Sequence, residues 1–140
     1  MLTEYRPNTF ITVKKMTNNS VISDLHIVNW PVHLFSIQSS SDLLLKNMFF
    51  DNRDGEAPND RSNGLAAAHN SDGFGVKEST NVTIRDSTVY NQDDCVAVTS
   101  GNKITVDGLN CVGGHGLSIG SVGGKSNNNV TNILVRPSPR

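Results

Sequence analysis

Two adjacent aspartates, Asp93 and Asp94, stand at the mouth of a strand-like run in YNQDDCVAVTSG, residues 90 to 101. Neither offers apolar area to a core, and two ionised neighbours repel each other. Grouped with a third carboxyl, such a pair raises at least one carboxyl pKa and shares a proton. One carboxylic acid that gives a proton beside one carboxylate that takes one is what general acid–base chemistry requires. Hydrolysis of a glycosidic bond uses this pairing, and the separation of the two groups sets the stereochemistry. Asp72 in NSDG and His115 in GGHG are the further candidates. Read singly, each is ordinary: Asp-Asp and Asp-Gly are common solvated turn residues. The glycines around His115 suit an exposed loop, or a backbone that a ligand approaches closely.

Register is what groups these residues. Apolar pairs with strand alternation recur at Phe35/Ile37, Phe74/Val76, Val96/Val98 and Leu117/Ile119, with first members 39, 22 and 21 residues apart. A second series, Ile22, Leu45, Ile84 and Val106, steps by 23, 39 and 22. Both series stretch at the same place, which marks the polar segment 51–64, DNRDGEAPNDRSNG, as one insertion. A period near 22 built from short strands and Asn/Gly/Ser turns predicts an all-β solenoid whose coils stack about 4.8 Å apart. An antiparallel sandwich would also use short strands and frequent turns. Two residues before each apolar pair of the first series lie His33, Asp72, Asp94 and His115. The expected result is a polar outer column with Asp72, Asp93 and Asp94 close together and His115 beside them. His26, His33 and His69 are read as structural or solvated, and Trp30 before Pro31 as a corner-packing residue.

Composition narrows the classes. At 140 residues the chain suits a single domain with a core and is too short to argue for two. A net charge of −1 supplies no basic field for nucleic acid or an anionic membrane. No apolar run approaches the roughly 18 residues that span a bilayer. The start, MLTEYRPNTF, lacks a signal-peptide layout. Sequons at Asn18, Asn81 and Asn129 carry little weight in an Asn-rich chain. Cys95 and Cys111 do not by themselves fix the compartment.

The blocks NSDG at 70–73, NQDDCVAV at 91–98 and GGHGLSIGSVGG at 113–124 resemble the signature of polygalacturonases of glycoside hydrolase family 28, the endo-acting members in particular. The resemblance extends to MTNNSVISDLHIVNWPVHLFSI near the start. It implies a right-handed parallel β-helix, here of about five to six coils, and hydrolysis of α-1,4-linked galacturonic acid with inversion. By the same resemblance, Asp93 is the general acid, and Asp72 and Asp94 activate the attacking water. Inverting enzymes keep acid and base roughly 6.5–9.5 Å apart. His115 supports the acid's protonation and borders the sugar, and Asn70, Gly114 and Lys125 are the expected substrate contacts. Cys95 and Cys111 match the family disulfide, which implies an oxidising, extracellular setting. No cofactor or metal is expected, and the implied partner is polygalacturonate, met by a secreted monomer.

The sequence also departs from the family pattern. Ser71 replaces a common Thr, and Gly75 a frequent acid. The family's Arg-x-Lys strand, one coil past the histidine, has no equivalent block at Arg136. The chain therefore reads as central coils of a longer enzyme, a β-helix incomplete at both ends and weakly active or inactive alone. Lys77, Lys103 and Lys125 either offset the missing cations or are solvated surface lysines. Two other functions compete: a calcium-dependent pectate lyase using the aspartates as ligands, and a solenoid that binds pectin without catalysis.

Overall fold

The computed structural model describes residues 8–138. The first coil contains β1 (Thr9–Lys14), β2 (Ser20–Ser23) and β3 (His26–Val28). The second contains β4 (His33–Gln38), β5 (Ser41–Lys46) and β6 (Phe49–Asp51). The third pairs β7 (Phe74–Lys77) with a long β8 (Ser79–Tyr90), and the fourth pairs β9 (Asp94–Val98) with β10 (Gly101–Val112). β11 (Gly116–Ile119) and β12 (Val130–Arg136) make the fifth. Every strand pairing is parallel. One sheet runs β1-β4-β7-β9-β11; the other runs β2-β5-β8-β10-β12, with β6 beside β8 and β3 beside β6. Five coils thus stack, and the solenoid replaces the sandwich.

Both predicted ladders are present. Phe35 pairs with Phe74, Phe74 with Val96, and Val96 with Leu117. Ile22, Leu45, Ile84 and Val106 form the second ladder. Each ladder also runs further than the periodicity indicated, to Ile11 at one end and Val135 at the other. Corners turn through left-handed backbone at Asp24, Asn47, Asp86 and Gly108, residue types that tolerate positive φ. Bends at Asp86 and Gly108 let β8 and β10 do the work of two strands each.

Three phenylalanines fill the middle of the core. Phe35 stacks on both Phe74 and Phe50 with centroids 5.7 Å apart, and Phe50 lies 5.2 Å from Phe74. Trp30 closes a corner as expected: it is buried, meets Phe50 edge-on, and donates Nε1–H to the Ser71 carbonyl at 3.3 Å.

The lengthened coil lies between β6 and β7, residues 52–73, so it includes NSDG as well as the polar 51–64 stretch apart from Asp51, which ends β6. A short 3-10 turn, Arg53–Gly55, starts it. Arg53 holds both carboxylate oxygens of Asp51, at 2.9 and 2.6 Å, and lies over the Tyr90 ring. That hydrogen bonding keeps the Asp51 carboxyl below its ordinary range. The segment is thereby tied to the coil beneath it at the point where the chain heads for Asp72.

Cys95 and Cys111 form a disulfide, with Cα atoms 6.1 Å apart and a sequence separation of 16. Closing a loop of this size stabilises by about 3 kcal/mol in the chain-entropy model. The paired Cys95→Ser and Cys111→Ala substitutions are therefore expected to lower unfolding free energy by about that amount. Urea denaturation of the double variant checks it.

Candidate active site

Sheet β1-β4-β7-β9-β11 turns one face to the core and the other to a groove. In β7, Phe74 and Val76 are buried while Gly75 and Lys77 face outward. The outward register Thr12, Ser36, Gly75, Ala97 and Ser118 makes a floor of small residues. The groove above it has a volume of about 420 Å³. Its rim is built where the chain enters these strands. His33 opens β4, Asp72 lies two residues before β7, Asp94 opens β9 with Asp93 before it, and His115 immediately precedes β11.

Asp93 is the best-held of the three carboxylates. Its Oδ1 accepts the Asp94 backbone N–H at 2.8 Å and lies 3.1 Å from His115 Nδ1. Its Oδ2 accepts from Asn70 Nδ2 at 3.2 Å. Asp94 accepts from the Ser118 hydroxyl at 2.7 Å. Asp72 lies 3.7 Å from His33 Nε2. The Asp72 and Asp93 side chains are only 17% and 16% exposed, whereas His115 is 70% exposed. The histidine therefore covers the acid from the solvent side.

The Asp72 carboxyl is shifted toward its protonated form. Burial chiefly, then the charge of Asp93, pushes its carboxyl up to about 6, with His33 opposing and Asp94 adding to the rise. A carboxyl raised on folding favours the native state below its unfolded pKa, and that contribution is lost as pH rises through the folded value. Between pH 4 and 6 the Asp72 contribution to stability should therefore decline. The Asp72→Asn variant is expected to lose less stability than the parent over this interval, as melting temperatures at pH 4.5 and 7 would record.

The residues around the acids explain the surrounding motif. Asn91 Nδ2 bridges the carbonyls of Ser71 and Asp94, each at 2.9 Å. Gln92 joins Ser71 to the Asn52 carbonyl. Ser71 is fully buried, and its hydroxyl accepts the Gln92 backbone N–H and donates to the Gln92 side chain. A threonine would supply the same hydroxyl. The Asn and Gln of NQDD thus bracket the aspartates from below.

Four placements differ from the sequence-based expectations. A register shift between Gly116 and Leu117 pairs Gly116, not His115, with Asp94. His115 donates its backbone N–H to the Asp93 carbonyl instead, which brings its ring to Asp93. His33, taken as structural or solvated, belongs to the site through Asp72. Ser118, not singled out by its sequence, holds Asp94. Gly114 closes on the protein itself: a Cβ there would collide with the Asp93 carbonyl oxygen. Its lack of a side chain lets the last coil reach the acid, and it does not line the groove. Asn70 and Lys125 do line it, as does Lys77. Of the other histidines, His26 meets Phe49 edge-on and His69 Nδ1 contacts the Ala66 carbonyl. Arg136 lies on the other sheet, 3.7 Å from Asp107, so it is no substitute for a groove cation.

Asp93, Asp94 and His115 each offer one atom within 4.8 Å of the others, a spacing that would admit a metal ion. Two carboxylates and an imidazole are a poor set for Ca²⁺, which takes six to eight oxygens. The donor set suits proton transfer better.

The parallel β-helix thus sets three carboxyls and a histidine along an open groove, an arrangement suited to the acid–base chemistry of glycosidic-bond hydrolysis. The profile of the glycosyl hydrolases family 28 matches residues 3–138, and the chain belongs to that family. It is 55% identical to a probable endopolygalacturonase D of Emericella nidulans over 92% of this chain and 25% of that protein. It is 56% identical to a polygalacturonase of Fusarium fujikuroi over 91% of this chain and 34% of that one. The chain thus spans between a quarter and about a third of these relatives' length. Among solved structures it superposes on endopolygalacturonase I from Stereum purpureum, complexed with two galacturonate, with a TM-score of 0.79 and 33% identity. That match covers 96% of this chain and 37% of the other, and the shared fold is the right-handed β-helix.

Proposed function

We propose that this chain supplies the catalytic coils of an endo-acting polygalacturonase, hydrolysing α-1,4-galacturonosidic bonds with inversion. One observation supports this reading most: Asp72, Asp93 and Asp94 converge from two successive coils on the rim of an open groove. Asp93 is the general acid. It is shielded by His115, whose Nδ1 lies 3.1 Å from its Oδ1, and steadied by Asn70. Asp94, fixed by Ser118, and Asp72, facing His33, receive the proton of the attacking water. The raised Asp72 carboxyl means that this role needs pH above about 6, or Asp94 alone serves below it. Relatives named as endopolygalacturonases support attack within a polymer. The domain is a single β-helix with its lengthened coil beside the site, acting as a monomer, and its disulfide suits an extracellular enzyme.

Incubation with polygalacturonate tests the reading. New reducing ends without unsaturated sugars, undiminished by a chelator, are the expected outcome. Chelator-sensitive formation of unsaturated products would replace it with a calcium-dependent lyase. Binding without turnover would leave only a pectin-binding solenoid.

A further inference from the structure

Three glycines lie close to the carboxyls, and the fold needs two of them. A Cβ on Gly73 would meet the Cys95 carbonyl oxygen at 2.7 Å, and one on Gly114 would collide with the Asp93 carbonyl oxygen. Gly75 is different. It sits inside β7 without a positive φ. An added Cβ would touch only the Phe35 carbonyl oxygen at 3.5 Å, an ordinary van der Waals contact. Glycine inside a strand weakens it, because it orders a more flexible backbone and packs no side chain. The strand therefore carries a destabilising residue at 75 that its backbone does not require.

The space left by the missing side chain opens into the groove, where Gly75 lies between Ser36 and Ala97 of the adjoining strands. All three are uncharged. Asp72 is three residues upstream, about 10 Å along extended chain. A sugar lying over β7 thus has a catalytic carboxyl at one edge and bare backbone beneath it. Ser36 adds a donor to this gap. Its oxygen accepts from Gln38 Nε2 at 2.8 Å, and among the described residues no hydrogen bond uses its own hydroxyl hydrogen. Ser118, in the same outward register, gives its hydrogen to Asp94. A neutral gap one small side chain deep, with a free hydroxyl donor in its wall, matches a small ester: the methyl fills the space and the carbonyl accepts from Ser36.

We propose that Gly75 and Ser36 form a specificity pocket that holds a sugar unit bearing a small neutral ester against the groove floor. The pocket rests on the polygalacturonate reading and adds to it a substituted form of the polymer. An O-acetyl group on a ring hydroxyl and a methyl ester of the uronic carboxyl share this chemistry, since each presents one carbonyl acceptor and one methyl.

Calorimetric binding of unsubstituted, O-acetylated and methyl-esterified galacturonan oligomers tests this. An Asp93→Asn background keeps the ligands intact. That protein should bind the unsubstituted oligomer and at least one ester. Added Gly75→Ala and Gly75→Val should progressively lower affinity for the ester relative to the unsubstituted oligomer, reaching about tenfold for valine, the low end of discrimination by a methylene-sized group. Ser36→Ala should lower the same ratio about fivefold, the scale of one hydrogen bond. Which ester responds identifies its source. Gly75→Ala should also raise the urea midpoint of unfolding, because the strand loses its glycine. A midpoint that fails to rise would return Gly75 to a backbone role and overturn the pocket. Equal loss on all three oligomers, unchanged relative binding of both esters, or binding of the unsubstituted oligomer alone would overturn it too, while leaving the polygalacturonase reading intact. Binding of none of the three would instead remove that reading, and the pocket with it.

Discussion

The Asp93→Asn substitution is expected to lower kcat on polygalacturonate by about a thousandfold, within the range that a positioned general acid contributes. Asparagine nearly matches aspartate in shape. Its amide oxygen can still accept the Asp94 backbone N–H now bound at 2.8 Å, so the loop keeps its conformation. What it lacks is a proton to give the leaving oxygen. KM and melting temperature should therefore move little while kcat collapses. Steady-state kinetics on the parent and variant check this split. Retention of more than a tenth of the parent rate would remove Asp93 from the acid's role.

The Phe74→Ala substitution is expected to cost about 4 kcal/mol of stability, the range for emptying a buried phenylalanine site. The ring is fully buried and stacks on Phe35 at 5.7 Å. Strands from three successive coils meet there, and parallel strands held in a sheet cannot close the void by independent shifts. Asp72 lies only two residues upstream, so loosening β7 should also lower activity. Chemical denaturation gives the stability change. A loss below about 1 kcal/mol would mean that the ladder does not behave as a packed core.

The ladders were legible because their chemistry is local: two apolar residues flanking one small residue, repeated once per coil. Phe35, Phe74 and Val96 keep that signal across the lengthened coil, since an insertion shifts the phase of both series together. The end coils were not legible to the same degree. Ile11 and Val135 belong to the ladders, yet β1 and β12 are half solvated, and their patterns carry less apolar contrast. The acids' convergence followed from register alone. The partner of His115 did not, because a single-residue shift at Gly116 decides it, and glycine permits that shift without leaving an apolar trace. The position of His33 at the shared offset was visible, but its use depends on a side chain reaching across a strand boundary to Asp72. Ser118 reads as any outward strand hydroxyl until Asp94 is set beside it. The disulfide came from family likeness, and only the fold shows why Cys95 and Cys111 can meet.

The configuration of the first product tests the central claim most directly. If water attacks opposite the leaving oxygen while Asp93 protonates it, time-resolved proton NMR of polygalacturonate digestion should show the β-anomer first, with the α-anomer growing only by mutarotation. Initial appearance of the α-anomer would mean the carboxyls act through a covalent sugar intermediate, and the assigned roles would be wrong.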